Sequence, residues 1–100
     1  MAGDWHTVTK GSMICSFGTG TITIDSNGVT GFSDVGGFPG AVKLRFSPPS
    51  VYLTYNYTDS LGNDDALAIY EGILSADKNT VTGTVGGTWE DNCTFTMRRR

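Results

Sequence analysis

The residues able to do chemistry in this chain are few. His6 is the single histidine, which rules out a multi-histidine metal centre and leaves a histidine relay without the further groups it needs. Its place near the chain start, with no partner identifiable in sequence, predicts an exposed ring. Asp59, Asn63, Asp64 and Asp65 gather in one polar stretch whose oxygens are of the kind that hold calcium. Their spacing does not match an EF-hand, because neither the glycine of the sharp turn nor the closing glutamate is in place. Asp64 and Asp65 are also badly set for paired acid and base work, since neighbours on an extended chain point to opposite faces. A hydrated turn is expected there. No nucleophile elbow, phosphate loop or CxxC occurs, and an enzyme built from Asp or Glu with Tyr has no motif behind it. No catalytic residue, metal ligand or cofactor is therefore assigned.

The two cysteines occupy related settings. Read as strands, Met13, Cys15 and Phe17 share one face, and so do Cys93, Phe95 and Met97, which points both thiols inward. The order Met-x-Cys-x-Phe mirrors Cys-x-Phe-x-Met, as two antiparallel neighbours would if the first and last strands closed a barrel. Closure would bring a disulfide within reach, but two small buried thiols in a reducing cytosol are the favoured expectation. Asn56-Tyr57-Thr58 and Asn92-Cys93-Thr94 fit the glycosylation sequon. Both fall in predicted strands of a Thr-rich chain, where chance accounts for them.

The elements that must position these residues read as strands almost throughout. Asn27-Gly28 lies between Thr21–Asp25 and Val29–Ser33, two stretches that alternate polar with apolar, and its residues suit a tight hairpin turn. Ser12–Phe17 is predicted as the first strand, and Gly18-Thr19-Gly20 after it is either a turn or a bend in one long strand. Asp34–Gly40 has no period and many breakers, so it reads as a loop. Ala41–Phe46 turns Val42, Leu44 and Phe46 to one side, and Val51–Thr58 does the same with Val51, Leu53, Tyr55 and Tyr57. Ala66–Leu74, Thr80–Val85 and Asn92–Arg98 complete about eight strands counted from Ser12. Short connections favour up-and-down neighbours, giving one all-β domain over residues 1–100. The predicted architecture is an antiparallel meander closing into a small barrel, with a β-sandwich as the alternative.

Bulk properties narrow the partners. The chain has 100 residues, a formal net charge of -3 and 14 glycines, and a pI near 4.7. One core is expected at this size, and a net acidic surface repels phosphate backbones and anionic lipid. Nucleic acid and membrane are thus not expected as partners, and Arg98-Arg99-Arg100 reads as a solvated tail. No apolar run is long enough to cross a bilayer. No basic segment followed by an apolar one opens the chain, so cytoplasmic residence is the default, with secretion left open.

Gly3-Asp4-Trp5, then Gly11-Ser12, then strands, with Gly87-Thr88-Trp89 and terminal arginines at the close, resembles the lipocalin- and avidin-like barrels of the calycin type. These place a G-x-W at their first strand. The resemblance implies an arginine packed over the early Trp and a small apolar ligand held inside. The spacing from Trp5 to Gly11 departs from the avidin pattern, and the chain is shorter than typical ligand-holding members. It otherwise resembles small bacterial proteins of the gene-cassette kind. On this reading the chain binds a small apolar or aromatic molecule without catalysis, with Trp5, Phe17, Tyr55, Tyr57, Tyr70 and Trp89 as lining. The alternative is a structural or interaction module that self-associates through Leu67, Ile69 and Ile73, which give Ala66–Leu74 a second apolar face.

Overall fold

The computed structural model describes residues 1–11, 19–58, 61–62, 65–88 and 93–100. Eight strands follow one another: β1 (Gly3–Lys10), β2 (Thr19–Ile24), β3 (Thr30–Ser33), β4 (Gly40–Ser47), β5 (Ser50–Tyr57), β6 (Ala66–Leu74), β7 (Thr80–Gly87) and β8 (Cys93–Arg99). Each pairs antiparallel with the next, and β8 returns to β1, so the meander closes into a barrel. Closure leaves no strand edge open to a second chain.

The ring closes as the mirrored motif suggested, but through a different strand. β8 is flanked by β1 on one side, with Thr7 opposite Met97 and Thr9 opposite Phe95, and by β7 on the other. Both of its edges are occupied, so β1 holds the place expected of Ser12–Phe17, a stretch outside the described residues. β1 escaped notice because its pattern is inverted: Thr7 and Thr9 are buried while Val8 between them is only half-buried. Nor is Cys93 a buried thiol, because it is disulfide-bonded; Cys15 lies outside the described residues.

Connections 25–29, 48–49 and 75–79 lie at one end of the barrel, here called the lower end, together with Met1 and Arg100. Two of them adopt the same turn. In the first, the Asp25 amide donates to the Thr30 carbonyl (2.8 Å) and the Gly28 amide to the Asp25 carbonyl (2.9 Å). In the second, Ser75 and Thr80, then Lys78 and Ser75, repeat those bonds at 2.8 and 2.9 Å. The turn needs a left-handed residue, supplied by Gly28 at φ 71° and by Lys78 at φ 64°. A side-chain oxygen secures each: Asn27 Oδ1 accepts from the Val29 amide and Asp77 Oδ1 from the Asn79 amide. The bond from the Ser75 hydroxyl, with that of the Asn79 amide, holds the Asp77 carboxyl below its usual pKa.

At the upper end, the predicted loop Asp34–Gly40 contains a 3-10 turn at Val35–Gly37 that tucks Val35 fully into the core. Gly20 makes room, since a Cβ there would lie 2.3 Å from the Val35 Cα. Asp34 fastens the turn to β2: its carboxylate accepts from the Thr21 amide at 2.9 Å, and its own amide donates to the Thr21 carbonyl at 3.1 Å. No helix of the described residues is long and apolar enough to cross a membrane.

Candidate functional site

The strand register fixes which inward residues face one another. Pairings carry Trp5 through Ile22, Ser33 and Gly40 to Tyr57. In the other direction they carry Thr9 through Phe95, Gly83 and Gly72 to Val51. Residue 7, midway between 5 and 9, therefore lies level with residue 54, midway between 57 and 51, because the stagger of a closed barrel divides evenly around the ring. In a ring of eight, β5 is the strand opposite β1. The inward hydroxyls of Thr7 and Thr9 on β1 thus face the inward ring of Tyr55 across the barrel.

The aromatic side of this level is continuous. Tyr55 and Tyr57, two residues apart on one face of β5, have ring centroids 5.0 Å apart, and Phe38 of the upper connection adds a ring 5.7 Å from Tyr57. Tyr70 on β6 meets Phe95 on β8 edge to face at 5.0 Å. That contact spans β7, where Gly83 presents no side chain to the interior. Gly72 opposite it also keeps the space clear, for a Cβ there would lie 3.0 Å from the tip of the Phe95 ring. Ala66 and Ala68, both buried, keep the wall low between the tyrosines.

The polar side consists of hydroxyls alone. Thr7, Thr9 and Ser33 are the buried polar residues among those described, with no buried Asp, Glu, Lys, Arg or His. Thr7 is 0% and Thr9 6% exposed, and neither Oγ1 has a hydrogen-bond partner among the described residues. Buried hydroxyls in proteins are nearly always satisfied, so an exception calls for an explanation.

Trp5 belongs to the other end. It is fully buried, its Nε1 donates to the Met1 carbonyl at 2.9 Å, and the Arg99 guanidinium lies 4.4 Å above its ring. Arg99 also donates to the Ala2 carbonyl at 2.8 Å, and the Arg100 amide to the Asp4 carbonyl at 3.0 Å, binding the two chain ends into a lower plug. The expected lining thus divides. Tyr55, Tyr57 and Tyr70 come together in the upper half, Trp5 seals the lower, and Phe17 and Trp89 lie outside the described residues. His6 is exposed, as is Asp65, and no group of three or more metal-ligating side chains forms among the described residues. Asp59, Asn63 and Asp64 are outside them.

Sequence reasoning missed Thr7, Thr9 and Phe95 as companions of the tyrosines. Reading every second residue from Trp5 would have found the threonines. Concavities occur on the outer surface of the barrel. One of about 450 Å³ on the outer wall includes Arg45, Tyr52, Glu71 and Ile73, and another of about 230 Å³ includes His6, Lys10 and Arg98. A third, of about 440 Å³, lies at the lower end beside Phe46, Pro48, Leu74 and Lys78. Comparison with protein-family models, with curated proteins and with solved structures gave no significant match.

Proposed function

We propose that this chain is a non-catalytic binding barrel whose upper half takes a small aromatic or otherwise apolar molecule, with Tyr55, Tyr57 and Tyr70 as the aromatic wall. The observation that carries this reading is the pair of buried Thr7 and Thr9 hydroxyls, unpartnered among the described residues and level with Tyr55. Valine would fill the same volume without burying a polar atom. Two such hydroxyls on one face of one strand suit a wall that meets something other than protein.

Kinship with calycin-type barrels is part of the proposal. Its support is the eight-stranded meander, the G-x-W at the start of β1 and the stacking of Arg99 on Trp5. The Cys93 disulfide favours an oxidising compartment over the cytosol. Self-association through β6 has less support: Ile73 is 53% exposed, but Leu67 and Ile69 are half-buried and Glu71 breaks the apolar strip between Ile69 and Ile73.

Titration with naphthalene, followed by NMR of the Thr, Ala, Ile and Val methyl groups and the Tyr ring protons, tests the binding reading. Saturable shifts are expected at Thr7, Thr9, Ala68 and Tyr55 while Ile24 and Val81 stay still. Shifts confined to the outer wall, or none at all, would refute it.

A further inference from the structure

We infer that the upper half of the barrel selects neutral aromatic molecules carrying a hydrogen-bonding substituent, such as a hydroxyl, and excludes aromatic and aliphatic carboxylates; the inference rests on the binding reading above. Three observations converge on this ligand chemistry.

The first is the donor set. A threonine hydroxyl donates one hydrogen bond and accepts others, and the branched Cβ restricts its rotation to few positions. Thr7 and Thr9 stand about 7 Å apart along one face of β1, as alternate strand residues do. A substituent on the edge of a bound ring can therefore reach one of them while the ring lies along Tyr55 and Tyr57, whose centroids are 5.0 Å apart. A purely apolar ligand would cover both hydroxyls and satisfy neither, which is unfavourable for a buried polar group.

The second is the lack of a counter-charge. Among the described residues, no lysine, arginine or histidine is buried. Arg99, the cation closest to the core in character, is committed at the opposite end to the Trp5 ring and the Ala2 carbonyl. A carboxylate entering the upper half would be stripped of water with only hydroxyls to replace it, and an unpaired charge is far costlier to bury than a neutral hydroxyl.

The third is the approach. The described residues of the connections at the upper end include no lysine or arginine. Asp34 and Asp65, both exposed, stand at this end of the strands and outnumber the lysine there, Lys10 at the close of β1. Their charges disfavour the approach of an anion at ordinary ionic strength.

The experiment uses three probes with the same fused ring system: naphthalene, 2-naphthol and 2-naphthoate. Dissociation constants are measured at neutral pH for the full chain and for Thr7→Val and Thr9→Val, whose isosteric side chains preserve packing. For the full chain, 2-naphthol is expected to bind roughly fivefold more tightly than naphthalene, the worth of one net hydrogen bond, and 2-naphthoate most weakly. In at least one valine variant the preference for 2-naphthol over naphthalene should vanish, with naphthalene bound more tightly than by the full chain because one uncovered hydroxyl is gone. Binding of 2-naphthoate as tight as that of 2-naphthol would overturn the inference while leaving the binding reading intact. So would a naphthol preference that survives in both valine variants. Failure of all three probes to bind would remove the binding reading, and the selectivity with it.

Discussion

Trp5 and Tyr55 are both fully buried in the same barrel, yet their surroundings differ in kind. The polar atom of Trp5 reaches the Met1 carbonyl, and its ring is roofed by Arg99. Around it stand Ile22, Leu53 and Met97, strictly apolar side chains on the walls nearby. Tyr55 shares its level with two threonine hydroxyls and packs beside the Tyr57 ring, with Val42 and Ala68 as its strand partners. The lower half is filled and sealed for stability. The upper half combines Val35, Val42 and Val85 with the buried Thr7 and Thr9 hydroxyls, which have no partner among the described residues, a feature that costs stability.

The sharpest way to break this comparison is to empty the lower plug. Trp5→Ala removes the largest buried side chain together with the stack of Arg99, and is expected to cost about 3–5 kcal/mol in urea unfolding. A loss below about 2 kcal/mol would mean that the lower half does not anchor the fold. Next in size is Gly20→Ala at the upper end. The added methyl meets Val35 backbone, so the 3-10 turn must withdraw, at a cost on the order of 1–3 kcal/mol. Chemical shifts should move at Ser33 to Phe38 and leave Trp5 unaffected; changes at the Trp5 indole would show that the halves are mechanically coupled. The smallest effect is a gain. Lys78→Gly relieves the left-handed backbone at φ 64° and is expected to add up to about 1 kcal/mol, making the second hairpin match the first. A neutral or negative change in thermal unfolding would show that the Lys78 side chain contributes contacts of its own.

Much of the barrel was legible because local signals agreed with global needs. Asn27-Gly28 sits in the turn between β2 and β3, and the alternation of Val42, Leu44, Val51, Leu53, Tyr55 and Tyr57 gives the inward faces of β4 and β5. β1 was not legible, since Thr7, Thr9 and the exposed His6 and Lys10 leave it only Trp5 and Val8 as apolar markers. Val35 was hidden among glycines and a proline, because its burial depends on the space above Gly20 on a different strand. The candidate site was half visible. Tyr55, Tyr57 and Tyr70 stand out by type, but their alignment with Thr7 and Thr9 depends on the register of all eight strand pairs together, and no local stretch of sequence encodes that sum.

The pairing of Trp5 with Arg99 has a kinetic consequence. Every other ladder in the barrel joins neighbours in sequence, whereas this one brings together residues from the two ends of the chain, and the entropy of closing so long a loop is met only by the last ladder to form. During synthesis β1 through β7 can assemble as an open meander as they emerge, but β1 waits for its second neighbour until β8 is made. For that interval β1 and the newest strand each present an unpaired edge to any chain nearby. The slow step in refolding is expected to be this closure, and the partly formed barrel is the species most exposed to association with another copy of itself.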